Sequence, residues 1–253
     1  MEFQPRTRSL LLLLGLSLSL VLHSCNKNEY NKGDFVSENN LSSPPPQTLA
    51  AGGSHTCAVL SGGTVKCWGY GANGQLVNGG TSDQSTPVAV SNISNATTVS
   101  AGGVSSYGHT CAVISGPPEG TVYCWGSGAQ GQLGHSQYSS STTPVVSFGG
   151  RTTAVSAGES TSYGHTCAVL SGGTVECWGT GASGRLGNNS DSNQSTPVTV
   201  SNISSATEVS AGGDHSCAEL SGGTVQCWGA GGAGRLGNGS DTSTSTPVTV
   251  SGL

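Results

Sequence analysis

The chain has 253 residues, 34% of them apolar and 8% charged, with 41 glycines and a formal net charge of −5. So glycine-rich and apolar-poor a composition suits a fold of turns and tightly packed sheets, its core built largely from Ala, Val, four Trp and sulfur. With 8 Lys and Arg in all there is no basic patch to neutralise phosphates, which excludes nucleic acid as a partner.

Residues 1–25 read "MEFQPRTRSLLLLLGLSLSLVLHSC". Arg6 and Arg8 precede an apolar run too short for a membrane span, the pattern of a signal peptide. "LHSC" resembles the bacterial lipobox, with Leu22 three residues before the cysteine and the small Ser24 just before it. The resemblance implies a signal peptide over 1–24, cleavage before Cys25 and acylation of that cysteine, so that the chain meets a membrane only through a lipid anchor. Without Glu2, Arg6 and Arg8, six basic and twelve acidic residues remain. Residues 25–47 are polar and proline-bearing, the composition of a flexible tether.

Two cysteines ten positions apart then bracket a Ser-Gly-Gly in "SHTCAVLSGGTVKCWG" (54–69), and near-copies begin at 108, 164 and 214. Runs of β-formers separated by glycine predict hairpins. A three-residue loop, Ser61–Gly63, sets Cys57 opposite Cys67. The second copy has three more loop residues ("SGPPEG") and a cysteine spacing longer by the same three, so Cys111 still faces Cys124. Directly opposed strand residues have Cα atoms about 4.5–5.5 Å apart, within the roughly 4.4–6.8 Å a disulfide spans. Cys57–Cys67, Cys111–Cys124, Cys167–Cys177 and Cys217–Cys227 are therefore expected as staples. The alternative is four pairs of buried thiols. Export favours the disulfides, and nine cysteines then divide into four pairs and one lipid site.

Around each hairpin the sequence repeats "AT-VSAGG" before and a "GQLG" or "GRLG" loop with "TPV-VS" after. Four short strands in about fifty residues are the signature of a propeller blade. The expected fold is all-β, with four such blades over 48–253 (about 48–91, 96–147, 152–201 and 206–253) in an open arc or a small ring. "AGG-HTCAVL" followed by "CWG-G--GQLG" resembles the RCC1 repeat, in the cysteine-bearing form of bacterial exported proteins. The resemblance implies a β-propeller, usually of seven blades, that acts as a binding or structural module. Blade 1 departs from the motif, with Val77 where the others have Gly134, Gly187 and Gly237.

His55, His109, His165 and His215 recur once per blade. They are read as strand-start residues bonded to neighbouring backbone, not as a metal ring, and no metal or cofactor is expected. Trp68, Trp125, Trp178 and Trp228 are expected to pack between blades. Blades 2 and 3 carry four extra residues before the histidine, "VSSYGH" and "STSYGH". Strand alternation puts these inserts on the rim of the "GQLG" loops, with the Ser-Gly-Gly hairpins on the other. Tyr107 and Tyr163, with Glu159, are the candidate binding patch. No catalytic constellation stands out, so the chain reads as a non-enzyme in the bacterial cell envelope, with a protein or cell-surface polymer as partner. Two alternatives are kept: a carbohydrate-active hydrolase or lyase using acids among Glu119, Glu159, Asp191 and Asp214, and a partial propeller completed by self-association.

Overall fold

The structure is a computed structural model that describes residues 48–158 and 164–253. The leader, the tether, Cys25, Glu159 and Tyr163 fall outside those residues. The described chain forms four antiparallel sheets of four strands each, every sheet paired in chain order. The first holds β1 (Leu49–Ala51), β2 (His55–Val59), β3 (Val65–Gly69) and β4 (Gln84–Ala89). The second holds β5 (Ala96–Gly102), β6 (His109–Ile114), β7 (Thr121–Gly126) and β8 (Ser141–Phe148). The third holds β9 (Thr152–Ala157), β10 (His165–Leu170), β11 (Val175–Gly179) and β12 (Gln194–Thr199). The fourth holds β13 (Ala206–Ala211), β14 (His215–Leu220), β15 (Val225–Gly229) and β16 (Thr244–Thr249).

The hairpin register is the expected one. Cys57 pairs with Cys67 and Val59 with Val65 across β2 and β3. Cys111 pairs with Cys124 across the longer loop. All four cysteine pairs are disulfides, with Cα atoms 4.0–4.1 Å apart. That separation is slightly tighter than the sequence-based expectation and belongs to the closer, non-hydrogen-bonded type of antiparallel pair. The last strand of each sheet carries a proline: Pro87, Pro144, Pro197 or Pro247. A residue without an N–H is tolerated on an edge strand and discourages further pairing there.

The first strands β1, β5, β9 and β13 adjoin one another in series, and the sheets stack side by side around them as an open arc. Packing lies between sheets, not within them. Each of three apolar clusters takes a disulfide, a valine and a leucine from one sheet and a tryptophan, an alanine and a first-strand valine from the next. Cys57–Cys67, Val65 and Leu76 thus meet Val99, Ala112 and Trp125. Trp125, Trp178 and Trp228 are fully buried, as expected for packing between blades, whereas Trp68 in the first sheet is half-buried.

Candidate binding rim

Beneath the loops, each sheet boundary is fastened by one recurring polar cluster. The residue after each histidine is Thr56, Thr110, Thr166 or Ser216. Three of these hydroxyls cross a boundary to reach the preceding sheet. His55 Nε2 lies 2.8 Å from Thr110 Oγ1, His109 Nε2 lies 3.0 Å from Thr166 Oγ1, and His165 Nε2 lies 2.8 Å from Ser216 Oγ. Thr166 and Ser216 donate to the carbonyls of Gln132 and Arg185 at 2.9 and 3.0 Å. A hydroxyl has one proton, so in these clusters the imidazole Nε2–H donates to it, which fixes a neutral tautomer. The same carbonyls accept the indole N–H of Trp178 and Trp228, both at 2.9 Å. Gln75 accepts from Trp125 at 2.8 Å. Burial lowers His55 to about 4 and His109 and His165 to about 3.

His55, His109 and His165 therefore bond a neighbouring blade's hydroxyl, where sequence led to an expectation of neighbouring backbone. The hydroxyl was the missing partner, and its signal was the fourfold recurrence of Thr or Ser directly after His. Among the described residues, no group of three or more His, Cys, Asp or Glu is arranged to hold a metal ion.

Over this layer sits the rim. The blade-2 insert forms a 3-10 turn at Ser105–Tyr107. It leans on the first sheet, which clamps it from two loops. Asn73 Nδ2 donates to the Ser106 carbonyl at 2.6 Å, Gln75 Nε2 donates to the Ser105 carbonyl at 3.3 Å, and the Ser105 amide donates to Ser54 Oγ at 2.9 Å. The insert and the "GQLG"-type loop thus share one rim. Tyr107 is half-buried at the end of that turn. Its sequence-predicted companions Tyr163 and Glu159 lie outside the described residues.

The rim differs from blade to blade in charge as well. Where the first two sheets have Gln75 and Gln132, the third has Arg185, 4% exposed. Its Nη1 donates to the Gly213 carbonyl at 2.9 Å and pairs with Asp214 at 2.8 Å. Burial lowers the Arg185 pKa, and Asp214 opposes that shift. Sequence reading missed this pair; the visible signal was the switch from "GQLG" to "GRLG".

Among the described residues, two of the acids proposed for an enzyme, Glu119 and Asp214, stand on opposite rims. Glu119 stands in the β6–β7 hairpin loop, where its carbonyl accepts the Arg151 amide at 2.6 Å, and so on the rim opposite the Arg185–Asp214 pair. Asp214 is committed to Arg185, and Asp191 is exposed in the β11–β12 loop. Grouping Glu119 with Asp214 fails because hairpin tips and strand-start loops lie at opposite ends of a meander.

Comparison with known proteins agrees with this architecture. Residues 62–113, 119–169 and 173–218 match the regulator of chromosome condensation (RCC1) repeat, and residues 47–75 and 206–235 match a second description of the same repeat. The ultraviolet-B receptor UVR8 of Arabidopsis thaliana is 36% identical over 152 residues, 58% of this chain and 33% of the receptor. The E3 ubiquitin-protein ligase HERC2 of Homo sapiens is 35% identical over 158 residues, 61% of this chain and 3% of the ligase. Yeast RCC1 (Prp20), solved bound to Kap60, superposes with a TM-score of 0.67 at 19% identity, covering 81% of this chain and 48% of that one. Human WBSCR16 superposes at 0.68 with 21% identity, covering 81% and 52%. The chain spans about a third of the receptor's length and about half of either solved propeller. On repeats, register and fold together, the chain belongs to the RCC1 repeat family.

Proposed function

We propose that this chain is an exported, membrane-anchored β-propeller of the bacterial cell envelope that holds a protein or surface polymer on its loop-rich rim. The observation that carries the reading is the Ser105–Tyr107 turn. The repeat breaks there, and the break is clamped across a blade boundary by Asn73, Gln75 and Ser54. A rigid tyrosine-bearing loop offers contact area at low entropic cost. Relatives point to protein partners: yeast RCC1 was solved with Kap60, and Prp20p was characterised for binding to Gsp1p and histones. Export is favoured by the four disulfides, which form in oxidising compartments, and by the leader-like residues 1–24.

The test is crosslinking capture from intact cells, with the wild-type chain compared against Tyr107→Ala combined with Tyr163→Ala. A hot-spot tyrosine costs at least about 2 kcal/mol on truncation, roughly thirtyfold in affinity. The expected result is selective loss of captured partner at unchanged thermal stability. Equal capture by both proteins moves the binding surface elsewhere.

A further inference from the structure

Three times inside the arc, the trailing face of one sheet meets the leading face of the next through the same contacts. The trailing face supplies a disulfide, a valine, the histidine Nε2–H and a loop carbonyl. It also supplies the hairpin-tip carbonyl of Gly63, Gly120 or Gly173, which accepts the Ala96, Thr152 or Ala206 amide at 2.8–3.2 Å. The leading face supplies a first-strand valine, an alanine, the indole and the hydroxyl.

The two outer faces of the array show the two halves of this joint unmatched. On the leading face of the first sheet, Leu49 holds the place of Val99, Val155 and Val209. It is 64% exposed where they are 0–6%. Ala58 and Trp68 are half-buried where their counterparts are closed off. Among the described residues, the Thr56 hydroxyl and the Trp68 indole N–H have no hydrogen-bond partner. On the trailing face of the fourth sheet, His215, Cys217 and Val225 are half-buried and Arg235 is exposed. A groove of about 170 Å³ runs past Ser210, Cys217 and Val225, with the carboxylates Glu208 and Glu219 also on its wall. Gly223 has nothing within 4 Å of a built Cβ, whereas its counterparts Gly63, Gly120 and Gly173 press on the next sheet. Ser210 is the counterpart of Ser100 and Ser156, whose hydroxyls accept the amides of Ala157 and Ala211 across a boundary.

We propose that the trailing face of the fourth sheet receives the leading face of the first sheet from a second copy of this chain, head to tail. Each unmatched group then finds the partner its counterparts already have. The His215 N–H meets the Thr56 hydroxyl, the Arg235 carbonyl meets the Trp68 indole, the Ser210 hydroxyl meets the Ala51 amide, and Leu49 fills the groove. A second copy is the occupant because the first sheet of this sequence carries the whole complementary set, and because the joint continues an interface already made three times. Two such joints about a twofold axis give a closed ring of eight sheets, within the roughly four to eight blades propellers adopt. Two contacts differ from those inside the arc. Glu219 stands where the second and third sheets carry the buried Val113 and Val169, so Leu49 packs beside a carboxylate. Ser54 stands where Asp214 pairs with Arg185, so Arg235 gains a carbonyl but no carboxylate.

The test is size-exclusion chromatography with light scattering on the full chain across a wide concentration range. Wild type is expected at twice the monomer mass. Leu49→Asp and Ser210→Arg, each at an exposed site on one outer face, are each expected to run as monomers with unchanged circular dichroism. Mixed together they are expected to regain a dimer, since Leu49→Asp keeps an intact fourth sheet and Ser210→Arg an intact first. Ala58→Arg and Val225→Arg repeat the experiment from different strands. A monomer at every concentration overturns the proposal and leaves the faces to another occupant, such as residues 1–47. Retention of the dimer by either single variant, or no recovery on mixing, overturns the head-to-tail arrangement.

Discussion

The imidazole of His165 and the hydroxyl of Ser216 meet 2.8 Å apart across the boundary between the third and fourth sheets. The Ser216 hydroxyl in turn donates a hydrogen bond to the Arg185 carbonyl, which also accepts one from the Trp228 indole N–H. Two sheets are thus joined by a buried hydrogen-bond chain with a defined direction. Ser216→Ala leaves the His165 N–H without its acceptor, and an orphaned buried donor costs about 1–3 kcal/mol. Urea unfolding is expected to show a loss of that size. A cycle with His165→Ala is expected to show coupling between the two sites, and strict additivity would contradict the chain.

The same histidines make stability depend on pH. An unfolded histidine titrates near 6.5, while burial holds His55 at about 4 and His109 and His165 at about 3. Between those values the unfolded chain binds more protons than the folded one, so stability falls as pH falls. The contribution is complete above about pH 6.5 and is lost progressively down to about pH 3–4. Thermal melts are expected to show a midpoint lower at pH 5 than at pH 7.5, with the slope reduced in His165→Gln. A higher midpoint at pH 5 would contradict burial of the neutral rings.

Gly187 sits at φ +69°, and a Cβ there would lie 2.8 Å from the Trp228 indole nitrogen. A side chain must bear left-handed strain of about 1–2 kcal/mol and displace the indole from the Arg185 carbonyl. Gly187→Ala is expected to lose at least about 2 kcal/mol in urea unfolding, with a shift in tryptophan emission. Val77 occupies the corresponding place in the first sheet at φ +47°, buried and packed into the first cluster with Trp125. Its sheet carries that strain already.

The hairpin register was legible because cysteine spacing and loop length change together between blades 1 and 2. The tryptophans were legible because each repeat has one. The histidine partner was obscure because contacts between sheets leave no periodic trace beyond a hydroxyl after each His. The clamp on Tyr107 joins residues 33 and 30 positions apart, Asn73 to Ser106 and Gln75 to Ser105, and no local pattern announces it. Placing Glu119 with Asp214 ignored the alternation of strand direction that had placed the tyrosine inserts.

The proposed anchor has its own test. Cys25→Ala is expected to release the protein from the membrane fraction or to block its maturation, read by fractionation and by mass. A variant that fractionates at wild-type level and size would remove Cys25 as the lipid site.

Because every apolar cluster lies between sheets, the unit that recurs along this polypeptide is a joint more than a blade. Any stretch one period long, cut at any point, carries one complete trailing set and one complete leading set. Unequal crossing-over between repeats can therefore lengthen or shorten the array without inventing a contact, since each new neighbour arrives with a His, a hydroxyl, an indole and a disulfide already in register. Near-identical stretches such as "LSGGTV" and "STPVTVS" supply the sequence identity on which such exchange depends. In this architecture, blade number is the property most open to drift, and the chemistry of the joint is the property held fixed.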